Sequence, residues 1–239
     1  MDDIGRQSRG HQADLVLASL SPRRRELLRY LGLTFTSVAT AGEEQQRALP
    51  TELAAALPAF ALDREQHPTL LAWRKAQAAI EMGCSGVILG ADTIVVVDSL
   101  ILGKPRDPAD ACRMLRQLAG RTHTVYTGVA LLNTRDPHAY AFDLVRSDVA
   151  MCRLTDLEIA DYVATGEPLD KAGAYGIQGL GGRLVEHVEG SYTSVVGLPL
   201  SAVHCQLQTM GIRPGVDPAD AFRHWLADQG KDVPLCTAP

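Results

Sequence analysis

Aromatic side chains are scarce in this sequence. Two Trp, six Tyr and four Phe make up 5% of 239 residues, so a core has to be built mainly from Leu, Val, Ala and Ile. There is no excess of positive charge. Lys and Arg number 23 against 28 Asp and Glu, a net charge of −5, which argues against a general binder of nucleic-acid polymers but not against a small anion held by a few local cations. Cysteine stands only at 84, 112, 152, 205 and 236, with no CxxC pair. That odd, scattered set suits reduced thiols rather than a disulfide framework or a zinc site. The opening MDDIGRQSRGHQ lacks the basic-then-apolar order of a secretion signal, and the most apolar stretch, 87–102, is broken by Asp92 and Asp98. No membrane span is expected, and a cytoplasmic location follows. Nor is there a P-loop or a dinucleotide fingerprint. No glycine-rich run leads into Lys104, and after Gly179-x-Gly181 the third glycine position falls on Leu184.

What is present alternates between strand-like and helix-like runs. Residues 1–12 read as a loose tail, 14–19 as a short buried strand, and Ser21-Pro22 as a helix start that carries the chain to a stop at Gly32. A second strand is expected over 34–40. Residues 45–68, interrupted by Pro50, Pro58 and Pro68, read as an irregular insertion with one short helix. A helix resumes near Thr69 and ends by Gly83. The β-branched runs 87–91 and 94–97 read as strands, followed by a hairpin arm at 100–102. A helix is expected between Asp107 and Gly120, an antiparallel pair over 122–133 and 140–151, and a capping box at Thr155-Asp156-Leu157-Glu158. A strand over 183–188 and helices over 198–210 and 218–228 complete the reading. The repeated DPADA at 107–111 and 217–221 reflects shared helix-cap chemistry. This order predicts an α/β protein with a mixed sheet.

Several residue groups could carry chemistry. Ser19-Leu20-Ser21-Pro22-Arg23-Arg24-Arg25 ends a strand and opens a helix with hydroxyls and three guanidinium groups. It is either a phosphate grip at a helix N-terminus or a solvated basic helix. Asp92, between two apolar segments, suits a magnesium ligand or a water-activating base, or else caps a turn at a sheet edge. Lys104 and Lys75 are cations near it in sequence, though a surface lysine is the commoner role. The loop Asp170-Lys171-Ala172-Gly173-Ala174-Tyr175-Gly176-Ile177-Gln178-Gly179 allows close backbone approach, and Gln178 offers both a donor and an acceptor to a base edge, unless the segment is an ordinary long turn. Glu43-Glu44 could help hold a metal or form an exposed acidic turn. Together these groups supply cations for phosphates and carboxylates for magnesium, the requirements of phosphate-anhydride hydrolysis.

The blocks LVLASLSPRRRELL, VILGADTIVV, LGKPRDPADACRMLRQLAGRTHTVYTGVAL and EPLDKAGAYGIQGLGGRLVEHVEGSYTSVVGLPL, in this order over residues 14–210, resemble the Maf family of nucleotide pyrophosphatases. The resemblance implies a two-lobed α/β fold of the Maf/ITPase-like type: a mixed twisted sheet flanked by helices, with a central nucleotide cleft. It implies hydrolysis of a nucleoside triphosphate to monophosphate and pyrophosphate with Mg²⁺ or Mn²⁺, and a homodimer. On that resemblance Asp92, Lys104 and Lys75 are catalytic. Ser19, Arg23, Arg24, Lys171 and Gln178 bind substrate, and Asp92 and Glu44 hold the metal. Arg23, Lys171 and Gln178 resemble the branch that prefers dTTP and UTP rather than the one that prefers 7-methyl-GTP. The alternatives are the same chemistry on another or modified nucleotide, or a nucleotide-binding regulator of cell division. The sequence departs from the family pattern in the long 45–68 segment and in Trp73-Arg74 ahead of Lys75. Its expected organisation is a tail at 1–12, one two-lobed domain over 13–212 and a C-terminal helical extension over 213–239.

Overall fold

The computed structural model describes residues 15–40 and 47–230, and the backbone of 236–238. Glu43 and Glu44, the 1–12 tail and the first two residues of the 45–68 insertion lie outside the described residues. The chain opens with β1 (Leu15–Leu17), α1 (Pro22–Tyr30) and β2 (Thr36–Ser37). The described part of the insertion holds one turn of α-helix, α2 (Thr51–Ala54), and a 3₁₀ turn over Arg64–Gln66, and α3 (Pro68–Glu81) follows. Next come β3 (Val87–Val97), β4 (Leu100–Leu102) and α4 (Pro108–Leu118). A long hairpin, β5 (Thr122–Asn133) and β6 (Tyr140–Met151), precedes α5 (Asp156–Ala164). The chain ends with β7 (Val185–Ser191), α6 (Tyr192–Val196), α7 (Leu200–Thr209), α8 (Pro218–Asp228) and β8 (Cys236–Ala238).

The eight strands form one sheet in the order β2-β1-β3-β5-β6-β7-β8, with β4 paired to β3. β1 runs parallel to both β2 and β3, β3 through β7 pair antiparallel, and β7 and β8 are parallel. The sheet is therefore mixed, as the order of elements predicted. Its two faces carry separate cores. Alternate residues of a strand point to opposite faces, so Leu15 and Leu17 join Leu27 and Leu28 of α1 in the larger core, while Val16 and Ala18 join Leu70 and Ala76 of α3 in the smaller. α1 and α3 thus lie on opposite faces, and the chain leaves β1 one way for β2 and returns the other way for β3. A crevice at the carboxyl ends of β1 and β3 follows from that reversal.

Local chemistry accounts for most boundaries. Ser21 caps α1, Pro22 occupies its first turn, and Gly32 beyond its end takes φ 70°. Thr155 and Glu158 form the expected capping box on α5. The turn between β3 and β4 puts Asp98 and Ser99 at φ 49° and 63°, the twist a two-residue hairpin needs.

Four expectations are corrected. The second strand shrinks to two residues, because beyond Ser37 only Val38 bonds back to β1, through Leu17. The two runs 87–91 and 94–97 are one continuous strand, since β5 pairs with it from Val87 to Val96 without a break. The strand placed at 183–188 starts instead at Val185, because residues Leu180–Leu184 form a 3₁₀ turn. A short helix, α6, precedes α7, and the latter begins at Leu200 after Pro199. At the C-terminus, α8 buries Phe222, Trp225 and Leu226 in the larger core, and Asp228 accepts a 2.6 Å hydrogen bond from the Tyr30 hydroxyl.

Candidate active site

Along one edge of β3 two neighbours stop short of each other. β1 ends with the Ala18 amide donating to the Leu89 carbonyl at 2.8 Å, and β4 begins pairing only at Val95. Among the described residues the edge between them is uncovered, and a cleft of about 400 Å³ opens there. Asp92 sits in this gap in mid-strand, opposite Gly128 of β5. The reading of Asp92 as a cap on a turn is thereby overturned.

Strand alternation sends Asp92 and Thr93 to opposite faces, and because the cleft wraps the open edge, both line it. On the α3 face, Lys75 is buried, with its Nζ 2.7 Å from Asp92 Oδ1 and 3.4 Å from the Ala91 carbonyl oxygen. Two glycines make this contact possible. A Cβ on Gly90 would stand 2.0 Å from the Ala72 carbonyl oxygen, and one on Gly128 would stand 2.1 Å from the Thr69 nitrogen. α3 can rest directly on the sheet backbone only where side chains are missing.

On the other face, Arg24 braces the back of the cleft. Its Nε donates to the Gly197 carbonyl at 2.9 Å, its Nη1 to Ser19 Oγ at 3.4 Å and its Nη2 to Thr93 Oγ1 at 3.3 Å. Thr93 in turn bonds Thr127, which donates to the Ser194 carbonyl at 2.8 Å. Ser21 Oγ caps α1 and the Ser21 amide bonds Ser19 Oγ at 3.2 Å, so the positive end of the helix faces the cleft. Arg23 reaches across to Asp170 at 3.2 Å.

The opposing wall is the loop of residues 167–181. Its centre is Glu167, whose carboxylate accepts from the Tyr162 hydroxyl at 2.9 Å and from the amides of Leu180 and Gly181 at 2.9 and 3.1 Å. Its carbonyl oxygen accepts from Lys171 Nζ at 2.7 Å, and Lys171 also bonds Asp170 at 2.6 Å. Burial works to raise the Glu167 carboxyl, but these donors and the Lys171 charge hold it below its ordinary value. Asp170 is treated likewise: partial burial raises it, and Lys171 and Arg23 outweigh that and hold it low. Further along, Gly173 takes φ 69° and donates to the Gly103 carbonyl at 3.1 Å, tying this loop to the one carrying Lys104. Tyr175 lines the cleft and shares a 2.8 Å hydrogen bond with His123 Nε2. Burial lowers that imidazole to about 4, against the pull of Asp148, so it is neutral at pH 7.

Of the residues singled out in the sequence, Ser19, Arg23, Arg24, Lys75, Asp92, Lys104, Lys171 and Gln178 all line this one cleft. Lys104 is exposed at its lip and makes no ion pair with a described residue. Arg25, third in the arginine run, does not line it. Glu44 is outside the described residues. Sequence reasoning missed Thr93, Asp170, Tyr175 and the Glu167 hub. Thr93, Asp170 and Tyr175 lay inside motifs already noted, whereas a lone glutamate that collects amides 13 and 14 residues later has no local signature.

Among the described residues the lining carries five cations (Arg23, Arg24, Lys75, Lys104 and Lys171) against two carboxylates (Asp92 and Asp170), in a protein whose net charge is −5. That is a site for a multiply charged anion. Among the described residues no three His, Cys, Asp or Glu side chains gather to cage a metal. One carboxylate on the cleft floor fits a hard cation bound mostly by phosphate oxygens and water, as Mg²⁺ commonly is beside a nucleotide. No described helix is long and apolar enough to cross a membrane. The four cysteines among the described residues are free thiols.

Comparison with known proteins adds two kinds of match. The family model described as Maf-like protein matches residues 14–210. A dTTP/UTP pyrophosphatase of Escherichia coli O157:H7 is 50% identical over 188 residues, covering 78% of this chain and 87% of its own. A dTTP/UTP pyrophosphatase of Shewanella oneidensis is 48% identical over 208 residues, covering 83% of this chain and 99% of its own.

Proposed function

Because this chain belongs to the Maf family, we propose that it is a nucleoside triphosphate pyrophosphatase, cutting dTTP and UTP between the α and β phosphates to leave the monophosphate and pyrophosphate. The observation that carries this reading is the ring of five cations around the open edge of β3, with Asp92 at its floor.

Arg23, Lys104 and Lys171 meet the triphosphate from the lips, and the N-terminus of α1 faces it from the back. Arg24 is already committed to Ser19, Thr93 and Gly197, so it shapes the back wall and lends its charge from a fixed position. Asp92, held at 2.7 Å by Lys75, orients a water toward the α-phosphorus and takes its proton. A divalent cation, Mg²⁺ or Mn²⁺, would be held by Asp92 and Glu44 and would supply charge neutralisation to the phosphate oxygens. Most of the rate gain is electrostatic, since the cations are in place before the charge develops. Asp170 occupies Arg23 and Lys171 in the structure, and an entering triphosphate replaces it as their anion.

Gln178 lines the cleft beside Gly176, and its amide reads the pyrimidine edge with one donor and one acceptor. Gln178→Glu is expected to lower turnover of dTTP and UTP while leaving metal dependence intact; an unaltered substrate profile sinks this role. The reaction belongs in the cytoplasm, where its substrates are, and the working unit is a homodimer, which sedimentation at assay concentration tests.

The deciding experiment measures pyrophosphate release with Mg²⁺ or Mn²⁺ across dTTP, UTP, CTP, the purine triphosphates and 7-methyl-GTP. Fast release from dTTP and UTP alone supports both chemistry and specificity. Release from a different nucleotide keeps the chemistry and overturns the role of Gln178. No release from any overturns the enzyme reading in favour of a nucleotide-binding regulator.

A further inference from the structure

The three arginines that open α1 part company. Arg23 and Arg24 line the cleft, while Arg25 lines a second, shallower groove of about 460 Å³ with Arg29, Leu33, Thr34, Phe35 and Ser37. The split follows from helix geometry: Arg25 is turned away from its neighbours and stacks one turn before Arg29, on the flank of α1 beside β2.

The groove carries two guanidinium groups and two hydroxyls and, among the described residues, no carboxylate. Two guanidinium groups at this spacing repel each other, yet neither forms an ion pair with any described residue. Arg25 Nε and Ser37 Oγ are both buried without a hydrogen-bond partner. A buried, unpartnered donor is unfavourable unless something outside the chain satisfies it. Both residues line the same groove, beside a second guanidinium and the Thr34 hydroxyl. The proposed hydrolysis has no use for any of them.

We propose that this groove is a second anion site, distinct from the cleft, that takes a phosphate group. Guanidinium groups bind tetrahedral oxyanions through paired N–H donors, and the hydroxyls of Thr34 and Ser37 add donors from the strand side. Leu33 and Phe35 give the groove an apolar flank, so a phosphate ester is accommodated as well as the free ion. The assignment rests on the groove alone and does not depend on the reaction in the cleft.

The test is a ¹⁵N-detected titration of the full chain, without divalent metal, using inorganic phosphate, pyrophosphate and UMP in separate arms. Saturable shifts at the amides of Thr34, Phe35 and Ser37 are expected, and the arm that saturates at the lowest concentration identifies free ion or ester as the occupant. Arg25→Gln with Arg29→Gln is expected to weaken that binding by about tenfold or more, with dTTP hydrolysis unchanged. Ser37→Ala, a smaller change, is expected to weaken it less. The proposal is overturned if no arm produces saturable shifts at these amides, or if the shifts persist unchanged in the double variant.

Discussion

On one side of the cleft, α3 lies so close to β3 and β5 that there is no room for a Cβ at Gly90 or Gly128. On the other side, the loop of residues 167–181 hangs from one carboxylate that collects a hydroxyl and two amides. The first wall is held by close packing, which has no titratable part and yields only by moving a helix. The second is held by charge-assisted hydrogen bonds, which depend on Glu167 remaining ionised. The packed wall presents Asp92 and Lys75, and the hydrogen-bonded wall presents Lys171 and Gln178. In the proposed reaction, geometry is thus entrusted to packing, and recognition of the nucleotide to a polar network that can be retuned by single side chains.

The comparison breaks most completely at the proposed base. Asp92→Asn is expected to lower kcat by about 10³-fold with the fold intact, read by pyrophosphate release alongside thermal unfolding; retention of most activity excludes Asp92 as the base. Next is the packing itself. Gly128→Ala forces its Cβ against the backbone of Pro68 and Thr69. It should destabilise the protein by about 2–4 kcal/mol and depress activity by displacing Lys75 from Asp92. A variant with wild-type unfolding and turnover would show that α3 is not seated as described.

A smaller effect is expected on the polar wall. Glu167→Gln replaces an all-acceptor carboxylate with an amide facing three donors. KM for dTTP should rise by about tenfold, with kcat and the unfolding midpoint little changed. Equal losses in kcat and stability would mean the hub is structural for the whole fold. The smallest effect is the dependence on pH. Glu167 and Asp170 are held below their ordinary values of 4.5 and 3.8. Their contribution is complete above those values and is lost as the pH falls through the lowered ones. The protection of the Leu180 and Gly181 amides against hydrogen exchange should therefore fall once the pH drops below the ordinary carboxylate range, before α3 loosens. Simultaneous loosening of both walls would erase the distinction between them.

Much of this was legible in the sequence because the relevant physics is local. Ser21-Pro22, the Thr155 to Glu158 capping box and the Asp98-Ser99 turn declare themselves within four residues. The cations of the cleft and Asp92 were also recognisable, since most of them sit in contiguous motifs. The Glu167 hub was not, because it assembles groups from α5, the 3₁₀ turn and the loop itself, and no spacing rule links them. Nor could the break at Asp92-Thr93 be read as strand continuity. Two polar residues end an apolar run, and only pairing with β5 shows that the strand carries on through them.

The sequence by itself determined the alternation of elements, the family and the residue types available for chemistry, because hydrophobic periodicity, capping and contiguous motifs act over a few residues. Only the tertiary structure decided which of those residues meet. It placed Lys75 on Asp92, turned Arg24 into a brace and sent Arg25 to a different groove. Each of those outcomes depends on how closely a helix can approach a sheet and which way its side chains then face, and no stretch of sequence contains both partners.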